Sequence, residues 1–297
     1  MSGREASVTG RHGHLAGQRG PLARLLIATG IGAAIAGCST GHALSAAPRT
    51  ASPPPGVTTS ARPPASQPAD PAPAAAPALA GQTIGIDPGH NGGNAADPAF
   101  INSIIWNGRE NETCDTTGTQ TNGGYTEATF NWNVARYLRA DLHRAGARVV
   151  MTRPGNNGAG PCVTSRARIL NRAGATVALD IHADGGPAWG RGFTVLEPVA
   201  DGPNDGIITA SEHLASDVRS ALLKYTSMPE SNYYGHDGLI FRDDLAGLNL
   251  ATEPKVLVEC GNMRNPTDAR LLTASWFQRR LARALEAALV TFLGAGH

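Results

Sequence analysis

Nearly half of the chain's prolines lie in one stretch, and this clustering limits where a hydrophobic core can form. Residues 39–80 hold 10 of the 21 prolines, together with 13 alanines, 5 serines and 4 threonines, and their large apolar side chains are confined to Leu44, Val57 and Leu79. A stretch of this composition cannot bury enough apolar surface to offset the conformational entropy lost on ordering. We therefore expect residues 39–80 to form a disordered linker and the folded part of the chain to span residues 81–297.

The segment before the linker has the pattern of an export signal. Four arginines and a single acidic residue precede the apolar run LLIATGIGAAIAG at residues 25–37. This run is shorter than the roughly 20 residues that a membrane-spanning helix needs, but it fits the apolar region of a signal peptide. We predict that residues 1–38 are a signal peptide and that the protein is exported to the periplasm or cell wall. Cys38 follows a lipobox-like Ile-Ala-Gly, so two outcomes stay open: removal with the signal, or lipidation that tethers the chain to the outer face of the membrane.

The overall charge of the chain argues against a nucleic-acid partner. The chain has 25 basic and 24 acidic residues, which gives a formal net charge of +1. Nucleic-acid binding requires a concentrated basic surface to neutralise phosphates. We therefore expect no nucleic-acid partner, and we expect a monomer that recognises its substrate through a shaped site.

Residues 81–297 alternate between strand and helix patterns. Such alternation predicts a single α/β domain, with a mostly parallel twisted sheet and helices on both faces. The predicted strands cover residues 83–87, 147–152, 176–181, 192–197 and 255–259, and the predicted helices cover 128–146, 165–174, 211–225 and 267–293.

Polar side chains able to bind a metal or move a proton follow the predicted strands. The carboxyl ends of parallel strands meet at one edge of a sheet, where ligand sites of α/β proteins lie. Two histidines and one carboxylate are the ligand set of a catalytic zinc site, and a further glutamate can take a proton from the attacking water. The candidates are Asp87 and His90 after the first strand, Asp180, His182 and Asp184 around the third, Glu259 at the end of the last, and Glu127 before the first long helix.

Spacing alone leaves a structural interpretation open. No compact zinc motif such as HExxH is present, and the three candidate ligands are widely separated in the chain. In the alternative interpretation, His90 caps a glycine-rich turn, while Asp180 and His182 form an internal hydrogen bond.

Five sequence blocks, in order from about residue 83 to 290, resemble those of a known enzyme family. They are IGIDPGHNGG, YTEATFNWNVARYL, VVMTRPG, SRARILNRAGATVALDIHADG and KVLVECGNMRNPTDARLL. The chain resembles the zinc-dependent N-acetylmuramoyl-L-alanine amidases, most closely their stand-alone mycobacterial members. The resemblance implies a hydrolase with one Zn²⁺ per chain that cuts the amide between N-acetylmuramic acid and L-alanine in peptidoglycan or muropeptides.

The resemblance also implies roles for individual residues. His90, Glu127 and His182 match the zinc ligands, and Glu259 matches the catalytic glutamate that moves the proton. Asp87, Asp180 and Asp184 are candidates for hydrogen-bond acceptors that orient the ligating imidazoles. The chain departs from the family pattern at Asn91, and the stretch 91–125 is longer than in many relatives.

The cysteines are interpreted from the expected oxidising compartment. Cys114 and Cys162 lie in loop-like sequence, and we expect a disulfide between them, which would hold the 91–125 insertion beside the site entrance. Closing such a loop is worth roughly 4 kcal/mol on a chain-entropy model. Cys260 follows an apolar strand and is expected to be a small buried side chain.

Two other functions compete with the amidase. One is a zinc peptidase that cuts within the stem peptide. The other is a non-catalytic lipoprotein that binds the cell wall on the same scaffold, although such a protein would have no need of Glu259.

Overall fold

A computed structural model describes residues 78–296. The predicted signal peptide, Cys38 and almost all of the predicted linker lie outside the described residues. Leu79, placed in the linker by its sequence, is buried, and its backbone N–H donates to the Ala145 carbonyl oxygen at 2.9 Å. Folded structure therefore begins at least two residues before the predicted boundary. In the part of the chain described here, no helix is long and apolar enough to cross a membrane.

The described residues form eight strands. They are β1 (Thr83–Pro88), β2 (Ile104–Trp106), β3 (Asn111–Thr113), β4 (Arg148–Met151), β5 (Val177–Asp184), β6 (Thr194–Pro198), β7 (Leu239–Arg242) and β8 (Lys255–Asn262). All five predicted strands are present as β1, β4, β5, β6 and β8. The strands β2 and β3 form a small hairpin inside the insertion, and β7 is an additional strand of the main sheet.

The described residues also form seven α-helices. They are α1 (Pro98–Ile101), α2 (Glu127–Arg144), α3 (Val163–Ala173), α4 (Ile208–Tyr225), α5 (Ala246–Asn249), α6 (Pro266–Leu272) and α7 (Ser275–Ala295), with short 3₁₀ turns at Asn94–Ala96 and Asp205–Ile207. The first three predicted helices correspond to α2, α3 and α4. As its sequence indicates, α3 ends where Gly174 takes a left-handed conformation, with φ of 60°.

The segment predicted as helical over residues 267–293 is helical, but it is divided into two helices. Two helices, α6 and α7, meet at Thr273 and Ala274. The side chain of Gln278 donates to the Leu272 carbonyl oxygen at 2.7 Å and so satisfies an acceptor at the end of α6. This tertiary hydrogen bond stabilises a break that the helical pattern of the sequence does not reveal.

The main sheet has the strand order β4-β1-β5-β8-β6-β7. Neighbouring strands are parallel except for the pair β6 and β8, which is antiparallel. The sheet is therefore mostly parallel, as predicted. The central strands β1, β5 and β8 end at the same edge, which brings the polar residues at their carboxyl ends together.

Helices cover both faces of this sheet, again as predicted. The main hydrophobic core joins one face to α2, α4 and α7, through side chains such as Phe130, Leu214 and Phe277. On the opposite face, Leu170 of α3 packs against Gly85, where an added Cβ would lie 3.0 Å from a leucine methyl. The shorter helix α5 covers the same face farther along, where Leu248 joins a smaller apolar cluster.

Candidate metal centre

Alternation along the central strands sorts apolar and polar side chains onto different faces. In β5, which reads VALDIHAD, Val177, Leu179, Ile181 and Ala183 enter the main core. Because neighbouring side chains of a strand point to opposite faces, Asp180 and His182 lie on the face of α3 and α5. The strands β1 and β8 show the same period, with Asp87, Lys255 and Glu259 between buried apolar residues. One face of the sheet thus carries a row of ionisable groups.

Strand register brings His182 and Glu259 side by side. These residues are direct partners in the parallel pairing of β5 with β8. The pairing becomes irregular just beyond them, between His182 and Asp184. Neighbouring strands lie about 4.8 Å apart, so the imidazole and the carboxyl project from adjacent positions of the same face.

His90 reaches the same place from the turn after β1. Its φ is 57°, a left-handed conformation that is uncommon for a residue with a side chain. The preceding Gly89 lies against the His182 ring, where a Cβ would approach the ring within 2.1 Å. The Gly89 carbonyl oxygen accepts a hydrogen bond from Asn131 at 3.1 Å, which ties the turn to α2. A glycine is therefore required at position 89 for the two histidine rings to meet.

Glu127 is the first residue of α2, and its side chain points at both histidines. Its Oε1 lies 3.3 Å from His90 Nε2 and 2.8 Å from His182 Nδ1, and its Oε2 accepts from the Thr119 N–H at 2.8 Å. Burial alone raises the pKa of Glu127, but the two imidazoles outweigh it and hold that pKa well below its usual value. The helix N-terminus further favours the negative charge.

We call His90, Glu127 and His182 the metal cluster, since their donor atoms lie within 4.8 Å of one another. Two imidazole nitrogens and a carboxylate oxygen, converging from three separate elements, are the donor set that a catalytic zinc ion takes. Gly118, with φ of 70°, closes over the cluster, and a Cβ there would lie 2.6 Å from the His90 ring. The residues present therefore fit a single metal ion.

The remaining nitrogen of each histidine faces a carboxylate. His90 Nδ1 lies 3.2 Å from Asp115 Oδ1, and His182 Nε2 lies 3.3 Å from Asp180 Oδ1. Burial by itself lowers the pKa of His90, but Glu127 and Asp115 outweigh it and raise that pKa to about 9. A carboxylate on the second nitrogen fixes the orientation and tautomer of a metal-ligating imidazole, and this arrangement supports the fit to a metal.

A group that we call the buried charge layer lies beneath the metal cluster. Its members are Asp87, Asp115, Arg166, Asp180 and Lys255. Arg166 Nη1 donates to Asp87 at 2.9 Å, and its Nη2 donates to Asp115 at 3.2 Å and to the His90 carbonyl oxygen at 2.8 Å. Lys255 Nζ lies 3.5 Å from Asp87 and 3.7 Å from Asp180. The layer therefore connects the carboxylates behind both histidines and holds the backbone of His90.

Glu259 lines the cleft together with the metal cluster but is bonded differently. Its Oε2 is buried without a hydrogen-bond partner among the described residues. Burial raises the pKa of Glu259, and the nearby His182 imidazole offsets part of that rise. The carboxylates of Glu127 and Asp184 also raise it, and the resulting pKa is about 8. A carboxyl whose pKa lies near neutrality, beside a metal cluster, is suited to accept and return a proton.

The other predicted residues take varied positions. Of the three aspartates expected to orient imidazoles, Asp180 faces one, whereas Asp87 accepts from Thr152 and Arg166, and Asp184 accepts from the Tyr233 hydroxyl at 2.7 Å. Asp115, which faces His90, was missed by the sequence analysis. Its signal is weak, because it lies in the insertion and is far in sequence from its partners.

Cys114 and Cys162 are neighbours but are free thiols in the structure, as is Cys260. Burial raises the pKa of Cys114 to about 12, with a further contribution from a hydrogen bond with Cys162. The disulfide between them stays a prediction. Cys260 is buried in the main core, as expected.

The metal cluster lies in a cleft of about 350 Å³. The hairpin of β2 and β3 forms one wall, where Glu112 accepts from the Ala246 N–H at 3.2 Å and Arg109 donates to Asp243 at 3.0 Å. The insertion thus borders the cleft, as the sequence analysis expected.

A mostly parallel α/β domain with a His-Glu-His cluster and a facing glutamate has the residue types that hydrolysis at a metal site requires. Residues 84–291 match the family model described as N-acetylmuramoyl-L-alanine amidase. The chain therefore belongs to the N-acetylmuramoyl-L-alanine amidase family of hydrolases, as its sequence blocks predicted.

Individual relatives agree with this assignment. The chain is 41% identical over 222 residues to the N-acetylmuramoyl-L-alanine amidase Rv3717 of Mycobacterium tuberculosis, covering 72% of this chain and 88% of the relative. The crystal structure of the amidase Ami1 of Mycobacterium smegmatis matches with a TM-score of 0.69 and 39% identity, over 73% of this chain and 99% of the other. Apo Ami1 of Mycobacterium abscessus gives a TM-score of 0.69 and 40% identity, over 72% and 100%.

Proposed function

We propose that this protein is a zinc-dependent hydrolase that cuts the amide between N-acetylmuramic acid and L-alanine in peptidoglycan. The observation that carries this proposal is the convergence of His90, Glu127 and His182 within 4.8 Å, with Glu259 paired beside His182 on the neighbouring strand. Membership of the amidase family supports the choice of substrate.

His90 Nε2, His182 Nδ1 and Glu127 Oε1 would hold the zinc ion. Zinc bound there would lower the pKa of a water molecule and polarise the substrate carbonyl. Asp115 and Asp180 keep the two imidazoles oriented from behind. Gly118 and Thr119 cover the cluster on one side, so substrate enters through the open cleft.

Glu259 moves the proton in this mechanism. Its carboxylate takes a proton from the attacking water and passes it to the nitrogen of the departing L-alanine. Burial raises the pKa of this carboxyl, which favours retention of the proton until the amide bond breaks. The cysteine that follows, Cys260, belongs to the opposite, apolar face and takes no part.

The test is digestion of purified peptidoglycan with and without a chelator, read by mass spectrometry. We expect release of intact stem peptides that begin with L-alanine, and we expect the chelator to abolish it. Glu259→Gln should lose about 10²- to 10⁴-fold in rate while keeping its zinc, because general acid–base catalysis contributes that much. Glu212→Gln, an exposed glutamate on α4, is the matched control and should retain full activity.

Three results would contradict the proposal. Full activity of Glu259→Gln would show that Glu259 does not carry the proton. Alanine left on the glycan would show that the enzyme is a peptidase that cuts within the stem, and wall binding without any release would favour a non-catalytic binder.

Export and tethering complete the proposal. Cutting peptidoglycan requires a location outside the cytoplasmic membrane, which residues 1–38 would provide as a signal peptide. Cys38 would then be lipidated or removed, and mass spectrometry of the mature N-terminus distinguishes the two. In that compartment we also propose that Cys114 and Cys162 form a disulfide, which intact-mass measurement before and after reduction would detect.

A further inference from the structure

A second groove runs beside the cleft and has a different chemical lining. The two cavities share Gly118, Thr119 and Gly185, and the second has a volume of about 500 Å³. The second groove therefore lies next to the cleft, and a substrate that extends past these shared residues would reach it.

Carboxylates distinguish the cleft from the second groove. The cleft is lined by seven acidic residues: Asp87, Glu112, Asp115, Glu127, Asp180, Asp184 and Glu259. Among the described residues that line the second groove there is no acid; hydroxyl and amide side chains such as Thr117, Thr126 and Gln120 surround one basic residue, Arg264. An anionic group of the substrate is therefore attracted to the groove, whose described lining carries a basic residue and no carboxylate.

The backbone that carries Arg264 is held firmly. The Arg264 N–H donates to the side-chain oxygen of Asn262 at 2.9 Å, in the turn after β8. Asn262 is fully buried, and its Nδ2 donates to the carbonyl oxygens of Pro187 and Gly190 at 2.8 Å each. The backbone from which the Arg264 side chain extends is thus fixed between β8 and the 187–190 loop. A fixed backbone lowers the entropic cost of binding a ligand.

The guanidinium of Arg264 makes fewer hydrogen bonds than those of Arg166 and Arg242. Among the described residues it makes one side-chain hydrogen bond, a long one of 3.4 Å to Asn122. Arg166 is paired with Asp87 and Asp115, and Arg242 is paired with Asp244 through two hydrogen bonds. Arg264 therefore has donors left for a ligand.

We propose that Arg264 binds a carboxylate of the peptidoglycan stem peptide in the second groove. This inference rests on the proposed function, because the substrate amide joins a glycan to a peptide and free carboxylates belong to the peptide. Arg264 and the nearby hydroxyl groups form a specificity site that prefers stems with free carboxylates over stems in which these are amidated.

The test compares two muropeptide substrates that differ only in their stem carboxylates, free or amidated. In the zinc-loaded protein, Arg264→Gln should lower kcat/KM for the free form about 10- to 100-fold, mainly through KM, because a hydrogen bond to a charged group contributes that much. The amidated form should change less than about threefold, and Arg264→Lys should retain part of the preference. Arg270→Gln, an exposed arginine on α6, is the matched control.

A binding measurement separates this inference from the proposed function. Calorimetry with the synthetic stem tripeptide, free or amidated, should show a 10- to 100-fold weaker Kd for Arg264→Gln with the free peptide alone. Equal losses on both forms, or no loss, overturn the role of Arg264 even if the enzyme is an active amidase. If muropeptides are not cut but the charge-dependent difference in Kd persists, the proposed function fails and the carboxylate site stands.

Discussion

Two arginines near the metal cluster are used in opposite ways. The side chain of Arg166 is 3% exposed, and it donates to two carboxylates and to the backbone oxygens of Pro88, His90 and Pro161. Arg264 is half-buried in the second groove and makes a single long side-chain hydrogen bond among the described residues. A guanidinium saturated by the protein can only position its neighbours, whereas one with spare donors can bind substrate.

The largest expected effect is on folding stability. It comes from replacing Arg166, whose hydrogen-bond donors are all used within the protein. Arg166→Met should lower the free energy of unfolding by about 3–5 kcal/mol, because two buried carboxylates lose their partner. Denaturant unfolding measures this loss. Arg168→Met, an exposed neighbour on the same helix, serves as control and should change stability by less than about 0.5 kcal/mol. Equal effects of the two substitutions would show that the buried charge layer contributes little to folding.

The next effect is on metal affinity and involves the carboxylate that joins Arg166 to the metal cluster. Asp115→Asn should weaken zinc binding about 10- to 100-fold, because a neutral amide replaces the carboxylate that faces His90 and orients its ring. Competition with a chelating dye gives the affinity. Asp243→Asn, in the loop after β7 where Asp243 pairs with Arg109, should leave the zinc affinity unchanged. An unaltered zinc affinity in Asp115→Asn would mean that the turn after β1 alone orients His90.

A smaller effect should appear in the pH dependence of stability. Burial alone raises the pKa of Asp87, but Arg166 and Lys255 outweigh it and hold that pKa far below its usual value. Because the folded-state pKa is below the unfolded one, Asp87 stabilises the protein above about pH 4, and this contribution is lost as the pH falls below that value. The free energy of unfolding, measured from pH 6 to pH 2, should fall less steeply in Asp87→Asn than in the unmodified protein. Parallel curves for the two proteins would exclude this contribution.

The smallest expected effect is on the stability of a variant that lacks the Arg264 side chain in the second groove. Arg264→Met should change the free energy of unfolding by less than about 0.5 kcal/mol, because its side chain gives up a single weak hydrogen bond. Thermal unfolding checks this. A loss approaching that of Arg166→Met would show that Arg264 is structural and would remove the contrast between the two arginines.

Much of the site could be predicted from the sequence, and the remainder has a common physical cause. His90, Glu127, His182 and Glu259 were identified because they lie in blocks that resemble a known family, and the comparisons establish that family. The period of two in β5 and β8 is visible in VALDIHAD and KVLVECGN. Reading that alternation would have placed Asp180 and Lys255 on the same face as Glu259.

Contacts between distant segments could not be predicted. Asp115 meets His90 across 25 residues, and Arg166 meets Asp87 across 79, and no local pattern marks either pair. The break between α6 and α7 is a more local case, since the Gln278 side chain donates to the Leu272 carbonyl oxygen six residues earlier. Local propensity and periodicity describe neighbours along the chain, not partners brought together by folding.

By itself the sequence determined the α/β class of the chain and the residue types available for a metal site. Proline density and strand–helix alternation are local properties, so they can be read without coordinates. Tertiary structure decided which charges are buried in pairs and which remain available to a ligand. That difference separates Arg166 from Arg264, and it depends on which side chains the packed sheet and loops bring within hydrogen-bond distance.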